Sequence, residues 1–170
     1  MIHGTYGSTV TSYLSVLESK INTSVVDSKL RWLFKFTNDM TKTIKYSYGN
    51  IVSTNDRFIK QTFSHNATEN IFTGAINFKP YGYWSYEVYE VSWIGTVAVN
   101  DTNAPNSETE VLSVANGNGV VQGKVHEGKL YITETAGSEQ IKYTEHTEST
   151  MQLEQHCFLT LQQLPYQEQD

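Results

Sequence analysis

The chain has 170 residues and a mass of 19.3 kDa, enough for one domain that buries roughly 70% of its unfolded surface without metal or disulfides. Eleven Tyr, seven Phe and three Trp supply large apolar bodies, while only 18% of residues are charged. Ser and Thr make up roughly a fifth of the chain, a composition of β structure with wet polar faces that excludes a helical bundle.

A single cysteine, Cys157, rules out an internal disulfide framework and a cysteine-rich zinc site. No apolar run is long enough for a membrane span, and the start lacks the basic and apolar regions of a signal peptide. The Asn-X-Ser/Thr triplets at Asn22, Asn66 and Asn100 therefore read as chance in a Thr-rich chain. A net charge of −6 argues against generic affinity for nucleic acid or an anionic membrane. The charge is uneven: residues 1–100 carry nine Lys+Arg against seven Asp+Glu, and residues 101–170 three against eleven. An acidic last third beside a near-neutral body reads as a solvated edge and tail, or as a basis for head-to-tail contacts between copies.

Residues 1–27 are rich in Gly, Ser and Thr, with an apolar stretch from Val10 to Leu17 and no helix-capping signature. They read as an extended arm with at most one strand. Leu30 to Phe36 alternates cleanly, with Leu30, Trp32, Phe34 and Phe36 on one face and Arg31 and Lys35 on the other, which predicts a half-buried strand. Asn38-Asp39 makes a turn into a strand at Thr43–Tyr48, ended by Gly49-Asn50.

Arg57–Phe63 and Ile71–Phe78 are the next two strands, separated by a turn at Asn66–Asn70. Pro80-Tyr81-Gly82 then turns tightly into the longest strand, Tyr83–Trp93. That strand has aromatic residues on both faces: Trp84, Tyr86 and Val88 on one, Tyr83, Tyr89, Val91 and Trp93 on the other. It therefore belongs at the centre of a sheet, with core beneath it and a second cover above. Beyond a polar loop at Asn100–Ser107, Glu110–Val114 reads as a strand and Asn116–Gly119 as a hairpin turn. Val120–Val125 and Lys129–Thr133 form a further hairpin across His126-Glu127-Gly128, which Ile141-Lys142-Tyr143 continues. From Thr144 the chain is rich in Glu, Gln and Thr, and Met151–Leu159 suits either a strand or a short helix.

The pattern predicts an all-β fold: an immunoglobulin-like antiparallel β-sandwich over 28–143, an extended N-terminal arm (1–27) and an acidic C-terminal extension (144–170). The Cys…Trp…Cys spacing of antibody domains is absent, and a closed barrel is the alternative architecture.

No reactive constellation stands out. The five histidines, His3, His65, His126, His146 and His156, include no pair at metal-ligand spacing. His126 and Glu127 are adjacent, and Glu87 and Glu90 three apart, so on strands each pair points to opposite faces. Gly117–Gly123 has the wrong glycine spacing for a nucleotide loop, and Cys157 stands outside any catalytic motif. The aromatics of Leu30–Tyr48 alternate with Lys and Arg, but their one-face pattern makes them core before base-stacking platforms. Tyr81, Tyr83 and Trp84 form an aromatic turn that could meet a sugar. The expected protein has no catalytic residue, metal or cofactor.

Four segments together resemble the small virion structural proteins of tailed bacteriophages: Leu33-Phe34-Lys35-Phe36-Thr37-Asn38-Asp39, Asn55-Asp56-Arg57-Phe58, Asn66-Ala67-Thr68-Glu69-Asn70 and Gly82-Tyr83-Trp84-Ser85-Tyr86-Glu87-Val88-Tyr89-Glu90. The short Gly123-Lys124-Val125 fits the same set, and the resemblance covers about residues 30–125. It implies a non-enzymatic β-sandwich module on the virion: a capsid auxiliary or decoration protein, or a neck or tail component. Its partners would be major capsid, portal or tail subunits and further copies of itself. The two terminal segments depart from the plain module and are the expected contact regions. Val10, Tyr13, Leu14, Val16 and Leu17 are the candidates in the first, and Leu153, Phe158, Leu159 and Leu161 in the second.

Overall fold

The computed structural model describes residues 1–114 and 117–135. The candidate contacts Leu153, Phe158, Leu159 and Leu161, the Ile141–Tyr143 strand, Cys157 and the acidic extension lie outside the described residues.

Among the described residues nine strands form two sheets: β1 (Ile2–Thr5), β2 (Val10–Leu14), β3 (Leu30–Asn38), β4 (Ile44–Tyr48), β5 (Asn50–Thr54), β6 (Ile59–His65), β7 (Ala75–Ile76), β8 (Gly82–Ser92) and β9 (Val120–Thr133). The larger sheet runs β1-β9-β8-β3-β4, and the smaller runs β2-β6-β5 with β7 paired to β6. Pairing is antiparallel except for β1 with β9 and β6 with β7. The all-β expectation holds.

Alternation in the sequence becomes two cores. One cluster draws on both sheets: Val10 and Leu14 of β2 and Ile59 and Phe63 of β6 meet Trp32, Phe34, Phe36, Trp84, Tyr86, Val88, Leu130 and Ile132 of the larger sheet. Its rings meet edge to face, Phe34–Phe63 at 4.8 Å and Phe36–Phe78 at 5.0 Å, an arrangement worth about 0.5–1.5 kcal/mol per pair beyond area burial. The second cluster lies on the other face of the larger sheet, where Leu33, Tyr48, Val91 and Trp93 are covered by Ala104, with Val97 and Val99 packed alongside. As its sequence predicts, β8 lies between β9 and β3 with apolar residues on both faces.

The first 27 residues do not form a free arm. β1 pairs in parallel with the end of β9, Gly7 turns at φ +84°, and β2 crosses to the other sheet against β6. Val10, Leu14 and Val16, expected as contacts with neighbours, are buried in this chain's own core, and Leu17 packs against it. The physical reason is pairing at long range. A Cβ at Gly4 would come within 2.7 Å of Val10 and 3.0 Å of Ile132 in β9, so the glycine lets the segment lie close against the body.

The loop between β2 and β3 is fastened by a buried acid. Glu90 is fully buried, and its carboxylate accepts hydrogen bonds from the backbone N–H of Ile21 and of Asn22, both at 2.8 Å. Beside it Asn22 Nδ2 and Gln122 Nε2 donate to Ser92 Oγ. An alanine at Glu90 takes the acceptor away from two part-buried N–H groups, so Glu90→Ala should lower unfolding free energy by about 1–3 kcal/mol in urea denaturation.

Several local expectations fail for identifiable reasons. The two short strands predicted across His126-Glu127-Gly128 are one 14-residue strand, β9. Gly128 there is not a turn residue: a Cβ would come within 2.6 Å of the Tyr86 hydroxyl oxygen. Gly123, at φ +151°, sits where the β8–β9 register slips. Of Ile71–Phe78 only Ala75–Ile76 is strand, because Asn70 Oδ1 accepts from Phe72 N–H and starts a 3-10 turn that Gly74 ends at φ +73°. Glu110–Val114 forms no strand, and Val111 is 90% exposed. Both edges of β8 are already taken by β9 and β3. The strand after Gly49, β5, pairs with β6 although its Ile51 and Val52 are exposed and show no alternation.

Candidate functional site

The outward face of the larger sheet divides in two. Around Leu33, Val91 and Trp93 it is sealed by the loop between β8 and β9. That loop is shaped by Asn100 Oδ1, which accepts from the N–H of Thr102 and Asn103, and by Tyr48 OH donating to the Pro105 carbonyl at 2.7 Å. Toward the other end of β8 no described residue covers the face.

The boundary is an ionic cluster. Lys35 Nζ donates to Glu108 Oε1 at 2.6 Å, Tyr46 OH donates to Glu108 Oε2 at 2.5 Å, and Glu87 lies 3.7 Å from Lys35. Burial, together with the Glu108 hydrogen bond, pushes the Tyr46 phenol up to about 12. Burial opposes ionisation of Glu108, yet the Lys35 and Tyr46 hydrogen bonds outweigh it and hold the carboxyl below its usual range. The Glu108 hydrogen bond raises Lys35. A depressed carboxyl stabilises above its ordinary value of 4.5 and loses that contribution as pH falls through its folded value, while a raised lysine loses its contribution above 10.5. The loop anchor is therefore complete between those limits. The expected result is that Glu108→Gln lowers the melting temperature at neutral pH, and that the gap to the parent protein narrows as pH falls below 4.5 through the lowered folded value of the carboxyl. Thermal unfolding across pH measures it.

Beyond this cluster lies an open trough of about 610 Å³, lined by residues including Thr37, Asp39, Lys42, Ser85, Glu127 and Lys129. Lys129 Nζ donates to Asp39 Oδ2 at 2.7 Å and to Ser85 Oγ at 2.8 Å, and Ser85 Oγ donates to Asp39 Oδ1 at 2.7 Å. The Lys129 and Ser85 hydrogen bonds lower the Asp39 carboxyl. Lys124 donates to Glu127 at 2.6 Å and to Glu87 at 3.3 Å.

One cross-strand row further, β1, β9 and β8 place His3, Tyr131 and Tyr83 in register. The Tyr83 and Tyr131 rings are 4.6 Å apart at 42°, and His3 meets Tyr131 edge to face at 6.3 Å. Tyr83 is 54% exposed.

The predicted aromatic turn is thus divided. Trp84 is fully buried, donating from Nε1 to the Pro80 carbonyl at 3.2 Å and packing on Phe78. Tyr81 is half-buried and meets Tyr6 at 4.8 Å. Only Tyr83 faces outward, and its partners Tyr131 and His3 lie about 50 and 80 positions away in sequence. Strand parity alone separates Tyr83 from Trp84, whereas the Tyr131 pairing depends on the β8–β9 register.

On the smaller sheet, edge strand β2 presents Tyr13 at 58% exposure, edge to face with Phe58 at 5.6 Å and with Lys60 Nζ 5.7 Å from its ring centre.

Glu87 and Glu90 point to opposite faces, as their spacing requires: Glu87 into the outer ionic cluster and Glu90 into the interior. His126 and Glu127 part in the same way, His126 stacked on Tyr86 and Glu127 paired with Lys124. Among the described residues no three His, Cys, Asp or Glu side chains are grouped to hold a metal, and no helix is long and apolar enough to cross a membrane. No family model, characterised protein or solved structure matches the chain.

Proposed function

We propose that the protein is a non-enzymatic structural component of a tailed-bacteriophage virion, a capsid auxiliary or decoration protein that fastens neighbouring subunits, built on an immunoglobulin-like sandwich. The strand order supports the sandwich reading. β9-β8-β3-β4 opposed to β2-β6-β5, with a first strand running parallel to the last, is similar in strand order to variable-type immunoglobulin domains. The sequence resemblance over residues 30–125 supports the virion reading. A neck or tail position uses the same surfaces.

The observation that carries the fastening role is Tyr13. On an edge strand whose other large side chains turn inward, it stands outward beside Phe58 and Lys60. An amphipathic ring beside a cation, on a strand edge that no described strand pairs with, is the kind of anchor a neighbouring subunit recognises. Because Tyr13 is exposed, Tyr13→Asp should fold normally, with a melting temperature near that of the parent, yet fail to enter particles. Incorporation of Tyr13→Asp at the parental level would remove β2 as the fastening edge.

A further inference from the structure

We propose that the open half of the larger sheet's outward face is a binding site for a neutral oligosaccharide, with Tyr83 and Tyr131 as the stacking platform and Asp39, Ser85 and Lys129 as the hydroxyl-binding group. The inference goes beyond virion membership and does not depend on it.

Three observations converge. First, the row His3–Tyr131–Tyr83 crosses three neighbouring strands, so it spans about 10 Å at the usual strand spacing, the scale of a disaccharide. The faces of a pyranose ring carry C–H groups, and a tyrosine ring offers them an apolar, electron-rich surface at little entropic cost.

Second, the adjoining row supplies what sugar hydroxyls need. A hydroxyl both donates and accepts; Asp39 accepts, Lys129 donates, and Ser85, whose proton goes to Asp39, keeps a lone pair to accept. These three hold one another at 2.7–2.8 Å, which orients them toward a ligand although Lys129 is exposed, and the hydrogen bonds from Lys129 and to Asp39 are charge-assisted.

Third, the charge is matched internally. Lys129 pairs with Asp39, Lys124 with Glu127 and Glu87, and Lys35 with Glu108. Lys42, which also lines the trough, makes no such ion pair among the described residues, but with the other three lysines neutralised by neighbours the face gives a polyanion little electrostatic advantage. A polyhydroxylated neutral ligand loses nothing there. The trough has Asp39, Ser85 and Lys129 in its lining and not the aromatic row, so it gives the hydroxyl-binding group a concave seat beside the platform.

The test is a glycan array carrying neutral and acidic oligosaccharides, followed by NMR titration of the best neutral binder into the intact protein. Expected are neutral hits with dissociation constants of about 1 mM or tighter and shift changes confined to residues around His3, Asp39, Tyr83, Ser85, Lys129 and Tyr131. Tyr83→Ala and Tyr131→Ala should each weaken binding about tenfold or more, Tyr83→Trp should retain it, and Val111→Ala in the exposed loop should leave it unchanged. Thermal unfolding of Tyr83→Ala should match the parent, so its loss of binding cannot be a loss of fold. Absence of any neutral binder, a preference for acidic glycans, or unaltered binding by Tyr83→Ala would overturn the proposal.

Discussion

A chain lacking Met1–Leu14 should not fold. The deletion removes both strands of the amino-terminal segment, bares one edge of β9 and one of β6, and takes Ile2, Val10 and Leu14 out of the shared core. Each such side chain contributes about 1.5–3 kcal/mol on burial, against a total of about 5–15 kcal/mol for a domain of this kind. Circular dichroism and an NMR amide spectrum of the truncated chain should show loss of the cooperative transition. A folded truncated monomer, which the sequence-based picture of an arm requires, would mean that the first two strands are ornamental. Any loss of particle incorporation by such a deletion would then report folding and not docking. That is why Tyr13→Asp, which leaves the inward residues of β2 untouched, is the informative variant.

Trp84→Ala should destabilise by about 3–5 kcal/mol through the cavity it opens, whereas Tyr83→Ala should cost less than about 1 kcal/mol. The two residues are adjacent, and on a strand adjacency means opposite faces: Trp84 packs on Phe78 inside the sandwich while Tyr83 stands beside Tyr131 outside. A one-residue slip of β8 would exchange them. Urea unfolding of both variants therefore tests the register directly, since equal stabilities, or a larger loss from Tyr83→Ala, would place the wrong ring in the core. It also corrects the expectation that Trp84 could meet a ligand.

Most of the larger sheet was legible because its signals are local. Leu30, Trp32, Phe34 and Phe36 alternate, and they do lie on one buried face. β8 has apolar residues on both faces and proves to be covered on both. What could not be read were pairings and covers fixed from far away. β1 is short and rich in polar and small residues, and its partner begins at Leu130, so nothing in its own sequence distinguishes a strand from an arm. Gly123 and Gly128 carry a turn signature, yet one lies where the β8–β9 register slips and the other makes room for Tyr86. β5 exposes its apolar residues and so lacks the alternation that marks a half-buried strand.

The candidate site shows the same division. Tyr83 could be named from the sequence, because it follows a Pro-Tyr-Gly turn into a strand of known parity. Its partners could not. Tyr131 and His3 join it through an antiparallel and a parallel pairing in one row, and Asp39 arrives from the turn after β3 to meet Lys129 of β9. The aromatic row and the triad beside it are products of topology.

The central claim is that this rigid two-sheet body works as a surface held on a viral particle. The most direct measurement is quantitative mass spectrometry of purified particles from a lysate of the host that carries its gene. The account predicts the chain in the particle fraction at a fixed ratio to the major capsid subunit, retained through density-gradient purification. Recovery of the chain solely from the soluble fraction, with none in intact particles, would contradict it.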